Sequence, residues 1–273
     1  MKIDHDVHIH TNLSSCSHDP TMDASAVIDR AARLGLGTVG FANHLWDRAV
    51  DGASDWYAPQ DLDHVLSIRE QIPAETRGIR VLVGCETEYC GGGKVGISPA
   101  AAERLDYVLI PHSHFHMPGF TVPADLSAPD DVARLLVRRF VEVLDLQLAT
   151  GIAHPFLTLG FETTLGDILS RISDEQFSDC FGRAAEARVS IEVHREMFPG
   201  PDGAEKGFDD ETFLRILSLA KRAGCFFHFT SDAHHIDTMD TVLGLEPYTE
   251  ALGITPEDIH PAFRSPAGPQ APK

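Results

Sequence analysis

The sequence predicts an α/β chain folded as one domain, a (β/α)7 TIM-like barrel. Three observations carry this expectation. Short apolar, strand-like segments alternate with longer amphipathic ones; seven such units fill the 273 residues without a repeat or linker; and every strand-like segment ends in His, Asp or Glu. A flat doubly wound sheet is the alternative fold.

Taken in order, strands are expected at 3–10 (IDHDVHIH), 38–44 (TVGFANH), 80–88 (RVLVGCETE), 106–113 (DYVLIPHS), 151–155 (GIAHP), 189–195 (VSIEVHR) and 226–233 (FFHFTSDA). The clearest helices between them are 23–35, 130–151, 174–188 and 209–224. Asp23, Asp130, Asp174 and Asp209 stand where a side chain caps exposed backbone N–H groups, and Gly35, Gly151 and Gly224 follow helix ends. The domain is expected over 1–261, with the Pro- and Ala-rich 262–273 as a disordered tail.

Composition narrows the function. The formal charge of −19, from 22 basic against 41 acidic residues, leaves little to neutralise phosphates along a nucleic acid, and no dense basic run occurs. The expected partner is a small molecule, neither nucleic acid nor membrane. No apolar run approaches a membrane span, and the opening MKIDHDVHIH lacks the apolar core of a secretory signal. The five cysteines are odd in number, scattered and without a CxxC pair, which fits a reducing cytoplasm better than a disulfide framework.

The 15 histidines matter through their placement. His8 and His10, two apart on the first strand, point to the same side. His44 ends the second strand, Glu86 and Glu88 the third, His112, His114 and His116 the fourth, and His154 the fifth. Glu192 and His194 end the sixth, Asp232 and His234 the seventh. In parallel barrels this C-terminal end of the strands is where sites are assembled. One such histidine is usually a satisfied polar residue and an isolated HxH is weak, but seven strand ends carrying metal-type donors favour a centre for zinc, manganese or iron. So many buried ionisable groups would be costly together without a cation among them.

In order, the motifs HIH, ANH, GCETE, DYVLIPHSHF, IAHP and SDAH resemble the PHP family, the phosphoesterase domain of polymerases and histidinol phosphatases, over nearly the whole chain. The resemblance implies a distorted (β/α)7 barrel holding two or three divalent transition metals. Carried over motif by motif, it places a first metal on His8, His10, Glu86 and Asp232. A second would lie on His114 and His154 with Glu86 as bridge, and a third on His18, His44 and His234, the alternatives to His18 being Asp19 or no third ligand. Glu88 is expected to orient a ligating histidine.

Such a centre activates water and binds the oxygens of a phosphate ester, and neither a GxSxG nor a Walker loop supports another nucleophile. Arg195 is the candidate phosphate clamp, with a rim salt bridge as its alternative, and His194 the candidate proton donor to the leaving alcohol. Other basic candidates are sparse, with Arg48, Lys94 and Lys206 in loops. His5, His64 and His260 are expected at the surface, His228 in the core and His235 beside the substrate. Loops 45–60 and 115–129 are expected to wall the site, with Trp46, Trp56 and Tyr57 either stacking on substrate or packing. The expected activity is hydrolysis of a small phosphomonoester such as histidinol phosphate. Alternatives are a metal hydrolase of a cyclic phosphodiester or amide, and a non-catalytic metal-binding module.

Overall fold

A computed structural model of the chain describes residues 1–200, 203 and 207–265. Three of its eleven strands are β1 (His5–Ile9), β2 (Thr38–Phe41) and β4 (Arg80–Val83), which pair in parallel in the order β1-β2-β4. A second parallel sheet runs β11-β10-β9-β8-β5-β3, from Phe227–Thr230 through Ser190–His194, Gly151–Ile152, Val108–Leu109 and Cys85–Thr87 to His44–Leu45. The expected second and third strands are thus each broken once, into β2 and β3 and into β4 and β5. The lines continue across the breaks through Ala42 N to Ile9 O (2.9 Å), Gly84 N to Phe41 O (2.9 Å) and Glu86 N to Asn43 O (3.2 Å). At the other side, Ile9 pairs in parallel with Ala233, and His10 N donates to Ala233 O at 3.0 Å, so β1 meets the end of β11. An antiparallel hairpin, β6 (Tyr89–Gly91) and β7 (Lys94–Val95), was not anticipated.

The central strands are buried on both faces, as parallel strands covered by helices must be: all five residues of β1 and of β10 are inaccessible or nearly so. One close approach explains a break. A Cβ at Gly84 would stand 2.5 Å from the Tyr107 ring, whose hydroxyl donates to Val7 O at 2.8 Å, so only glycine passes there.

The helices supply amphipathic cover. Ala24–Leu34 starts on Asp23, whose side chain accepts from Ala26 N at 2.8 Å, and stops at left-handed Gly35; Asp210–Ala223 likewise runs from Asp209 to left-handed Gly224. The other two differ from expectation. Pro129–Asp145 starts with proline in its first turn, Asp130 lies inside that turn, and the helix ends well before 151. Gly151 instead opens β9, where a Cβ would come 2.6 Å from His228 Cε1. Asp174–Ala187 is capped by Ser173 in a reciprocal box with Gln176, one residue ahead of Asp174.

The domain extends past the expected boundary at 261. Phe263 is fully buried against Tyr107 and His228, and Ser265 Oγ donates to Asp4 O at 2.9 Å. Residues 266–273 of the expected tail, like Lys206, lie outside the described residues. His5 is not at the surface either: it is fully buried, with Nδ1 2.9 Å from Asp4 Oδ1 and Nε2 accepting from Phe229 N at 3.1 Å. His64 and His260 are half-buried.

Candidate metal centre

Two buried clusters meet on one carboxylate. In the first, His8 Nε2 and His10 Nε2 face each other at 3.1 Å; Asp232 Oδ1 lies 3.5 Å from His8 and 3.1 Å from His10, and Glu86 Oε2 is 3.5 Å from both. In the second, His114 Nε2 and His154 Nε2 also stand 3.1 Å apart, with Glu86 Oε1 at 3.5 and 3.1 Å. Glu86 therefore gives one oxygen to each cluster.

Each ring is oriented from behind. His8 Nδ1 donates to Glu192 Oε2 at 2.9 Å, and Glu192 also takes His228 Nε2 (3.3 Å) and His154 N (3.0 Å). His114 Nδ1 donates to Glu88 Oε1 at 2.6 Å, which the Tyr57 hydroxyl reaches at 2.5 Å. His10 Nδ1 contacts Ser14 Oγ at 3.2 Å. With Nδ1 protons directed outward, the Nε2 lone pairs face inward. Lone pairs facing at 3.1 Å repel unless a cation or a shared proton lies between them. Asp232 Oδ1 and His44 Nδ1 are buried without a hydrogen-bond partner. Such a donor set, rich in imidazole and carboxylate with unsatisfied inward atoms, fits a group of divalent transition metals. Backbone strain marks the same place: His154 and Asp232 have positive φ, 27° and 51°.

The buried charges act strongly on one another. Burial works against charge on His8, yet Asp232, Glu192 and Glu86 hold its pKa well above the ordinary value. Burial and His234 push neighbouring His10 down to about 4, against Asp232. His114, despite burial, is raised to about 9 by Glu88 and Glu86. Glu86, against its own burial, is held well below the usual carboxylate range by His8, His114 and His44.

A third grouping brings donor atoms of His10, Cys16, His44 and His234 within 4.8 Å of one another. His18, expected here, is exposed and belongs to none of the three groups; Asp19 turns away, accepting from Thr21 and from Ile236 N. Cys16, two residues before His18, was missed because a loop has no periodicity from which to read side-chain direction.

Other expected residues fall as follows. His112, two residues before His114, is a core residue: Nδ1 contacts Leu136 O (3.2 Å), Nε2 accepts from Phe156 N (2.9 Å), and burial lowers it to about 3. His116 is exposed. His228 is buried behind Glu192. Tyr57 and Trp46 are buried, whereas Trp56 is 40% exposed and packs edge-on against His44. The cavity over the centre, about 670 Å³, is lined by Trp56, His116 and Met117 as well as by the clusters. A neighbouring cavity of about 760 Å³ shares Cys16, His18, Leu159, Asp232 and His234 with it and holds His194, Arg195 and His235. Both His194 nitrogens are engaged, Nε2 with Ser231 O and Nδ1 with Glu196 N, each at 3.3 Å. Proton donation from that ring would require it to leave Ser231. Arg195, half-buried, donates to Phe198 O.

No family model matches the chain. It is 22% identical over 234 residues to a probable phosphatase of Aliivibrio fischeri (strain MJ11), covering 86% of this chain and 79% of that one. The fold is similar to a histidinol phosphate phosphatase from Lactococcus lactis subsp. lactis Il1403, solved with zinc, L-histidinol and phosphate: TM-score 0.61, 16% identity, 91% of this chain and 93% of the other. A candidate histidinol phosphatase from Listeria monocytogenes gives 0.62 at 14% identity, over 86% and 97%. These likenesses show a mixed α/β fold with a parallel sheet. Among the described residues no helix is long and apolar enough to cross a membrane.

Proposed function

We propose that the chain is a metal-dependent phosphatase of the PHP type, hydrolysing a small phosphomonoester with a leaving group resembling histidinol. The observation that carries this is Glu86 with one oxygen toward each pair of facing imidazoles, a donor array suited to neighbouring divalent ions. The probable phosphatase in Aliivibrio and the zinc- and phosphate-bearing Lactococcus structure support phosphate as the group acted on. On this reading the two parallel sheets are the staves of one distorted (β/α)7 barrel, closed where Ile9 meets Ala233, with the centre at its C-terminal mouth.

His8, His10, Asp232 and Glu86 would hold one ion, and Glu86, His114 and His154 a second. Bound there, divalent zinc, manganese or iron lowers the pKa of water and offsets the charge that develops on phosphate oxygens. The chain's own groups do the rest. Glu192 and Glu88 hold the Nδ1 protons of His8 and His114, so the Nε2 atom of each ring points to where the ion would sit. Arg195 lines the adjoining cavity, within which its guanidinium can fork onto two phosphate oxygens. Trp56 and Met117 give the inner cavity an apolar wall for the leaving group, so the walls expected from loops 45–60 and 115–129 are assigned to these residues. With a charge of −19, a small substrate drawn from the cytoplasm suits the chain better than a polyanion.

The test is phosphate release by purified, metal-replete protein from a panel of phosphomonoesters. Turnover is expected, and a variant carrying His8→Ala with His10→Ala should lose it. No release from any monoester, or equal release by the variant, would overturn the proposal.

A further inference from the structure

We infer that Cys16 is a thiolate ligand of a third metal site, completed by His44 and His234. This rests on the metal-dependent reading above and extends it to a residue with no counterpart among the expected histidine ligands.

The placement of Cys16 is built. Its loop is tied on both sides of the cysteine: Ser15 N donates to buried Gln60 Oε1 at 2.9 Å, and Ser17 Oγ donates to His234 O at 3.0 Å. Ser14 Oγ accepts from His44 N at 3.1 Å and donates to Asn43 Oδ1 at 2.9 Å, locking the loop to the start of β3. These bonds bring Cys16 Sγ within 4.8 Å of donor atoms on His10, His44 and His234.

The partner rings are prepared for a cation. His44 is 7% exposed, and its Nδ1 is buried without a hydrogen bond although Glu86 Oε2 lies 3.3 Å away. His234 donates Nδ1–H to Asp232 O at 2.8 Å, which leaves Nε2 as a bare acceptor. His10 directs Nε2 at His8 and Asp232, so its free lone pair is already used in the first cluster. The third ion's own donors are then one sulfur and two imidazoles, with a position left open to the cavity that Cys16 and His234 line.

The other cysteines make the contrast. Cys85, Cys180 and Cys225 are core residues, the last two within sulfur contact of carbonyls Val137 O and Phe181 O. Cys16 instead opens on the cavity beside three imidazoles. As the sulfur–metal bond forms, the thiol proton passes to water. A soft thiolate selects zinc or cobalt over manganese or magnesium, so the third site differs in metal preference from the oxygen- and nitrogen-lined pair.

Cobalt(II) titration of metal-stripped protein tests this by absorbance and by bound-metal content. A near-ultraviolet thiolate-to-cobalt charge-transfer band is expected for the wild type. Cys16→Ser should abolish the band and lower cobalt content by about one equivalent, keeping the ions around Glu86, while Cys90→Ser and His18→Ala should keep it. Cobalt bound without the band, or a band that survives Cys16→Ser, overturns the thiolate assignment alone. No bound cobalt at all overturns the Glu86 centre and this site with it. Alkylation of Cys16 followed by mass spectrometry gives a second readout: bound cobalt should protect it, and equal labelling with and without metal contradicts the assignment.

Discussion

The donors that meet on Glu86 and those that meet at Cys16 are held by different means. Around Glu86 they come from strand ends, the imidazoles and Glu86 are nearly inaccessible with Asp232 23% exposed, and His8 and His114 are backed by the carboxylates of Glu192 and Glu88. Around Cys16 they come from a loop, a two-residue strand and the turn after β11, and His234 has a side chain 38% exposed, held by the Asp232 carbonyl. In the proposed enzyme, rigid, doubly supported donors make a site whose loss stops the reaction, and loop-borne donors make one that can change its ligand, or its metal, while the fold stays intact.

The largest expected effect breaks the strand-borne side. Glu86→Gln removes the charge shared by both clusters and should lower kcat/KM by about a thousand-fold or more, with loss of bound metal measured by elemental analysis. A fall confined to one ion would mean that Glu86 does not serve both clusters.

Replacing the support behind a ligand should cost less. Glu192→Gln leaves His8 and His154 in place but weakens what orients them, and about 10- to 100-fold is expected in metal affinity or activity. An unchanged metal titration would reduce Glu192 to packing.

Two histidines on the same strand end sharpen the contrast further. His114 pairs with Glu88, while His112 stays neutral among Phe140 and Phe156. Burial lowers His112 to about 3 from an ordinary value near 6.5. Between those values the unfolded chain binds a proton that the folded chain does not. His112 therefore subtracts stability as pH falls from about 6.5 toward 3. His112→Gln should flatten that part of the denaturation profile relative to wild type, cost about 1–3 kcal/mol at neutral pH through its two backbone partners, and leave metal content unchanged. Metal loss in this variant would return His112 to the centre.

The smallest effect on the metals is expected from His18→Ala, which should leave metal content unchanged, since that ring is exposed and outside every donor group. A lost equivalent of metal would restore it as a ligand in place of Cys16.

The same contrast explains what could be read from the residues. On a strand, side chains alternate, so HIH and GCETE announce which donors share a face, whereas His112, His114 and His116 have the same parity and only the path of the chain beyond the strand separates the buried core ring, the cluster ring and the exposed one. Asp-capped, Gly-terminated helices at 23–35 and 209–224 were equally plain. Loop path carries no such rule, so the pattern alone does not say which of Cys16, His18 and Asp19 faces His44. Nor does pattern reveal long-range closeness: the breaks at Asn43 and Gly84, the Tyr57 hydroxyl on Glu88, and the burial of His5 and Phe263 all depend on partners distant in sequence.

Anomalous diffraction from a crystal loaded with zinc tests the central claim most directly. Peaks are expected about 2.0–2.2 Å from His8, His10 and Asp232 and from His114 and His154, with Glu86 between them. A zinc-replete crystal with no anomalous density inside either imidazole pair would contradict it.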